Sequence, residues 1–133
     1  MRRNGIKRRI YDRIVVSGES LYTLFDTGAW NSYITRAAAY RCKLKLRGLN
    51  KALRVGLGGE KRLLREHVSL EGSLRRHSFH LEPYVVDELG HGDEDRKIDL
   101  LFGLLAMEQW GVQPDVRNKR IDLTYFTKDF IEY

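Results

Sequence analysis

The chain has little of what stiffens or staples a small protein: its 133 residues include one cysteine and two prolines. With Cys42 alone no intrachain disulfide can form, so the fold rests on its core, and a reducing, cytoplasmic setting is the expectation. So few prolines argue against a Pro-rich disordered chain. Long apolar runs are also missing. The longest, Leu100 to Met107, is interrupted by Gly103 and falls far short of the ~20 residues a spanning helix needs, so no membrane partner is expected. Met1-Arg2-Arg3-Asn4-Gly5 leads into charge and not into an apolar stretch, so no secretory signal is expected either. There is no internal repeat, no low-complexity tract, no zinc-finger or helix-turn-helix spacing, and no aromatic interleaving of the kind that stacks nucleic-acid bases.

What is present suits one globular domain. Hydrophobic residues make up 42% and charged residues 32% of the chain. A chain of this length buries about two-thirds of its unfolded surface. Net charge is +6, and it is unevenly spread. Arg2, Arg3, Lys7, Arg8 and Arg9 form one basic block, and Arg36 to Arg65 forms a second, whereas Asp87 to Asp95 is acidic. Residues 1–9 therefore read as a basic N-terminal arm and residues 10–133 as the domain. A solvated surface accounts for most of this charge. Nucleic acid is not the expected partner, and a basic nucleic-acid-binding barrel stands as a lesser alternative.

Turn residues divide the chain into short strands. Ile10 to Val16 and Leu21 to Phe25 flank Ser17-Gly18-Glu19-Ser20 as a hairpin, and Asn31 to Thr35 is a further strand. Thr35 can cap a helical turn through Ala37 to Tyr40. Leu44 to Asn50 reads as irregular or a short edge strand. A long hairpin follows, Lys51 to Val55 and Lys61 to Leu70 around a tip at Gly56 to Gly59. Glu71-Gly72-Ser73 reads as a turn, then Leu74 to Leu81 and Tyr84 to Val86 as strands, Glu88 to Lys97 as a polar loop, and Asp99 to Phe102 as a strand. Gly103 opens a short helix that Gly111 closes. The last strand is Arg120 to Phe126, after a turn at Asn118-Lys119. Many short strands with few helical residues predict an all-β, barrel-like domain.

Leu24-Phe25-Asp26-Thr27-Gly28-Ala29 is the stretch that points to chemistry. An apolar strand ends in a carboxylate followed by a hydroxyl and a glycine. The structural reading is an Asx-turn closing a hairpin. In the functional reading Asp26 is held for catalysis, with Thr27 and Gly28 supplying hydrogen-bonding groups. Other candidates are weaker: His77 and His80 fall on opposite faces of a strand, Cys42 lacks any thiol-enzyme signature, and Asp93-Glu94-Asp95 lacks the spacing of a calcium loop. No metal and no cofactor is expected.

Taken together, Asp26-Thr27-Gly28-Ala29 followed by Ser32, the hairpin Val55-Gly56-Leu57-Gly58-Gly59-Glu60, and the late Asp99-Leu100-Leu101-Phe102-Gly103 resemble, in order and spacing, the retropepsin-like aspartic proteases. The resemblance covers roughly residues 10 to 126. It implies a single-lobe closed barrel with a flap hairpin and one short C-terminal helix, assembling as a twofold homodimer that cleaves polypeptides. Two carboxylates sharing one proton activate water in such enzymes, and this chain has only one Asp-Thr-Gly. Asp26 from each subunit would form the pair. By the same resemblance Thr27 would hydrogen-bond across the axis, Gly28 would offer backbone to substrate, and Ala29 would line the cleft. Leu57, Gly58 and Gly59 would belong to the flap, and Leu101, Phe102 and Gly103 would support the Asp26 turn. The segment Tyr125 to Tyr133 would interleave between subunits.

The chain departs from the retroviral pattern in having Trp30 and Leu104 where an acid and an Arg pair. An apolar Trp30–Leu104 contact is the expected replacement, with Trp30 as a pocket wall the alternative. A catalytically silent dimeric binding module of the same fold is the rival to an enzyme.

Overall fold

A computed structural model describes residues 9–127. The arm expected at residues 1–9 lies outside the described residues except for Arg9, as do residues 128–133 of the segment expected to interleave. The chain begins with β1 (Ile10–Val16), which turns through Ser17 and Gly18 into β2 (Glu19–Asp26). Both turn residues have positive φ, the geometry that matches the twist of a two-residue hairpin. In β1, Ile14 and Val16 are buried while Val15 between them is exposed, so one face meets the core. Leu21 to Phe25 in β2 are all buried, which marks a strand covered on both faces.

Beyond β2 come β3 (Tyr33–Thr35), α1 (Arg36–Arg41), β4 (Arg47–Leu57), β5 (Glu60–His67), β6 (Leu70–Leu74), β7 (His77–Leu81), β8 (Tyr84–Val86), β9 (Leu100–Gly103), α2 (Leu104–Trp110), β10 (Gln113–Asp115) and β11 (Arg120–Asp122). Thr35 caps α1, its hydroxyl accepting the Ala38 N–H at 3.1 Å. Nine strands form one sheet in the order β4-β5-β8-β3-β9-β2-β1-β6-β7, while β10 and β11 form a separate ribbon. Two pairs in the large sheet, β2 with β9 and β3 with β8, run parallel. The architecture is all-β as expected, but among the described residues the strand order is linear, with β4 and β7 at its two edges, and the expected closed barrel is not formed. At the β7 edge the Trp110 indole N–H caps the His80 carbonyl at 3.0 Å.

Apolar clusters cover both faces of β2. Leu21 and Phe25 join Ile14, Phe79 and Phe102 on one side, and Tyr22 and Leu24 join Leu57, Leu64, Ile98 and Leu101 on the other. The turn expected at Glu71-Gly72-Ser73 is a correction, because these residues lie inside β6 and the chain turns instead at Arg75-Arg76, where Arg75 has φ +58. Gly72 is needed for space: a Cβ there would sit 3.0 Å from the Phe79 ring and 3.1 Å from Ile14. The final strand is also shorter than expected. It stops at Asp122, whose Oδ1 accepts the Thr124 N–H at 2.9 Å and turns the chain.

Candidate active site

Parallel pairing sets the site. The register aligns Leu24 with Leu101, Phe25 with Phe102 and Asp26 with Gly103, so the carboxylate stands at the shared C-terminal end of two central strands. Below it Leu101 and Phe102 are buried, and the Phe25 and Phe102 rings lie 5.1 Å apart. Asp26 itself is half-buried, while Thr27 and Gly28 after it are exposed.

The Gly28 N–H donates to Asp26 Oδ1 at 2.8 Å, and the Ala29 N–H donates to the Asp26 carbonyl at 3.2 Å. The Asx-turn of the structural reading is therefore present, and it uses one carboxylate oxygen. Among the described residues nothing bonds to the other oxygen, Oδ2, or to the Thr27 hydroxyl.

The loop is clamped onto the start of α2 through its backbone. Leu104 N–H donates to the Ala29 carbonyl at 2.8 Å and Leu105 N–H to the Trp30 carbonyl at 3.1 Å, satisfying two donors that a helix N-terminus leaves open. The buried Ser32 hydroxyl accepts the Gly103 N–H at 2.9 Å. Gly103 cannot carry a side chain, since a Cβ there would run into the Asn31 carbonyl. Ser32 was visible in the sequence as part of the motif. The carbonyls of Ala29, Trp30 and Asn31 were not, because a backbone contact leaves no mark on residue identity.

The expected Trp30–Leu104 contact does not bury the indole, and the two side chains line different pockets. Trp30 is 54% exposed and shares a pocket with Leu81, Tyr84 and Leu105, whereas Leu104 lies with Thr27 and Met107 in a different one. The two backbone hydrogen bonds hold these segments together where an ion pair was lacking, which frees Trp30 to be a pocket wall.

The β4–β5 hairpin turns at Gly58 and Gly59, with φ of +60 and +81. Leu57 just before the tip is buried in the cluster that contains Leu24 and Leu101 and packs against Ala29. The hairpin thus leans on one of the two clusters that flank the Asp26 strand. Its pairing is irregular between Gly48 and Leu53.

The remaining candidates are not part of this site. His77 packs against Phe126 with the rings tilted and 4.7 Å apart, while His80 contacts Glu71 and Glu82 at 3.1 and 3.0 Å. Burial pushes the Cys42 thiol up, away from thiolate chemistry. Among the described residues no group of three His, Cys, Asp or Glu side chains is placed to hold a metal ion.

No family model and no curated protein sequence matches the chain. Solved structures do. The retroviral protease-like domain of Ddi1 from Leishmania major superposes with a TM-score of 0.62 at 18% identity, over 89% of this chain and 90% of that one. A retropepsin-like aspartic protease from Rickettsia conorii superposes with a TM-score of 0.51 at 21% identity, over 80% of this chain and 76% of that one. With a strand order that sets Asp26 beside Gly103 and neighbours that match along most of its length, the chain has the retropepsin-like fold.

Proposed function

We propose that the protein is an aspartic endopeptidase that acts as a twofold homodimer, Asp26 of each subunit supplying one carboxylate. The observation that carries this reading is the half-used carboxylate: Oδ1 is fixed by the Gly28 amide, and Oδ2 has no partner among the described residues. Rigid placement with one oxygen free suits a group that must share a proton and hold a water. A single chain offers one such acid, and a twofold axis supplies the second without new sequence.

Two carboxylates about 3 Å apart cannot both ionise, so one stays protonated. The ionised one takes a proton from water, which attacks the peptide carbonyl carbon. The protonated one hydrogen-bonds the carbonyl oxygen and then delivers its proton toward the leaving nitrogen. The exposed Thr27 hydroxyl bonds across the axis, the β4–β5 hairpin closes over substrate as a flap, and Trp30 walls a pocket for a side chain. A reducing, cytoplasmic setting belongs to the same proposal, supported by the lone buried Cys42.

Asp26→Asn is the test, with peptide cleavage and sedimentation measured on the same samples. Cleavage falls at least about 1,000-fold while the dimer persists. Wild-type kcat/KM peaks at mildly acidic pH, where one proton per pair is most populated. Undiminished cleavage by the variant, a strictly monomeric active form, or a rate still rising near pH 9 would overturn the assignment. One of the two neighbours is described as protease-like, which keeps a silent dimeric binding module as the second reading. A dimer that cuts no peptide supports that module.

A further inference from the structure

Residues 41–65 carry nine Lys or Arg and a single acid, Glu60. Two of the nine are spoken for. Arg41 pairs with Glu19 and Asp99, and Arg62 approaches Glu60 and donates to the Glu88 carbonyl. The other seven, from Lys43 to Arg65, are exposed, and none makes an ion pair or side-chain hydrogen bond with a described residue. Like charges at this density repel one another and disfavour the compact state, so leaving them unpaired costs stability that no intramolecular contact returns.

Strand register organises the charge. Arg54 pairs with Leu63 and Gly56 with Lys61, so Arg54, Lys61, Leu63 and Arg65 project from one face of the hairpin. Val55, Leu57 and Leu64 on the other face join the core cluster. The outward face is thus a basic strip around the exposed Leu63. It also borders a free strand: among the described residues β4 ends the sheet, and no strand pairs with its outer row of backbone N–H and C=O groups.

We propose that the β4–β5 hairpin is a docking surface for an acidic, extended polypeptide, which pairs along the β4 edge while its carboxylates meet the cations and an apolar side chain meets Leu63. Nucleic acid shares the charge complementarity but not the rest: residues 41–66 contain no aromatic side chain on which a base can stack, and a strand edge offers main-chain pairing to peptide alone. In the endopeptidase the surface acts as an exosite, selecting substrates whose acidic segment lies away from the bond that is cut. That role rests on the function proposed above; the docking itself does not.

The full-length chain carrying Asp26→Asn is titrated, by fluorescence anisotropy, into a labelled peptide of alternating Glu and Val, its Lys counterpart, a single-stranded RNA and a DNA duplex. The acidic peptide binds roughly tenfold or more tighter than the Lys peptide at low salt, and the gap narrows as salt rises. Lys51→Glu, Arg54→Glu and Lys61→Glu combined invert that preference at an unchanged melting temperature, a gain of binding that unfolding cannot mimic. In the wild-type chain, appending the acidic segment to a cleavable peptide raises kcat/KM, and the triple variant loses the rise. Equal binding of both peptides overturns the docking surface, as does tighter binding of either nucleic acid. A triple variant that self-associates with no change in peptide preference also overturns it, leaving the cations as guards of a bare strand edge. If no peptide is cut but acidic peptide still binds selectively, the endopeptidase reading fails and the surface stands. Cleavage indifferent to the acidic segment, with no selective binding, gives the reverse.

Discussion

The Asp26 loop and the β4–β5 hairpin both turn on glycine, but for opposite reasons. At the loop's support the glycine is forced by crowding: Gly103 lies under the Asn31 carbonyl, its N–H is taken by buried Ser32, and the loop carbonyls are fixed to α2. At the hairpin the glycines have open space, with nothing within 4 Å of a Cβ at Gly56, Gly58 or Gly59. Only the backbone sign of φ at Gly58 and Gly59 calls for them. The hairpin is tied to the body near its root through Arg36 to Glu66 at 2.7 Å and the pairing of His67 with Tyr84, and nearer its tip through buried Leu57 and the Arg62 bond to the Glu88 carbonyl, while Gly58 and Gly59 at the tip are exposed. The crowded glycine is over-determined and the tip glycines are not. In the proposed enzyme that division keeps the reacting group fixed and leaves the tip free to move.

The sharpest way to break this comparison is to put a methyl group into each region. Gly103→Ala forces backbone apart in a closed space and is expected to cost about 3 kcal/mol or more, whereas Gly56→Ala stays within about 0.5 kcal/mol of wild type. Denaturant titration of the two variants checks both, and equal losses would erase the distinction. Ser32→Ala comes next, at about 1–3 kcal/mol, because the buried Gly103 N–H is left without an acceptor. Gly58→Ala follows at about 1 kcal/mol, from the φ of +60 alone, and peptide turnover by that variant falls severalfold if tip motion gates substrate entry.

Much of the anchored half was legible in the sequence, since its signals are local. Ile10 and Val16 bound β1 as expected, Thr35 caps α1, and α2 runs between Gly103 and Gly111. Long-range packing was less readable. Gly72 looks like a turn residue until Phe79 and Ile14 occupy the space its side chain would fill. No strand was read around Pro114, and it sits in β10, in a two-stranded ribbon where each strand has a free edge that tolerates a proline. Trp30 was expected to replace an ion pair through its side chain, and the joint is made by carbonyls instead. Nor does an alternating strand pattern say whether the last strand returns to the first. Among the described residues β4 and β7 stay apart, and the sheet has edges.

The smallest effect expected tests whether the anchored half is held as firmly at its periphery. His80 lies on β7 between two acids, Nδ1 3.1 Å from Glu71 and Nε2 3.0 Å from Glu82, and both ring nitrogens can donate only in the imidazolium form. Its pKa is raised, chiefly by the hydrogen bond to Glu82 with Glu71 adding to it and burial opposing. A folded value above the unfolded one means the contribution is complete below about pH 6.5 and fades as pH rises through the higher folded value. His80→Gln should therefore lower stability at pH 5.5 and match wild type near pH 9, by thermal unfolding at about those two pH values. Exposure of all three side chains limits the difference to a few tenths of a kcal/mol. A loss of stability that is the same at both pH values would show that the ring matters through packing, with Trp110 and its bond to the His80 carbonyl the contact then disturbed.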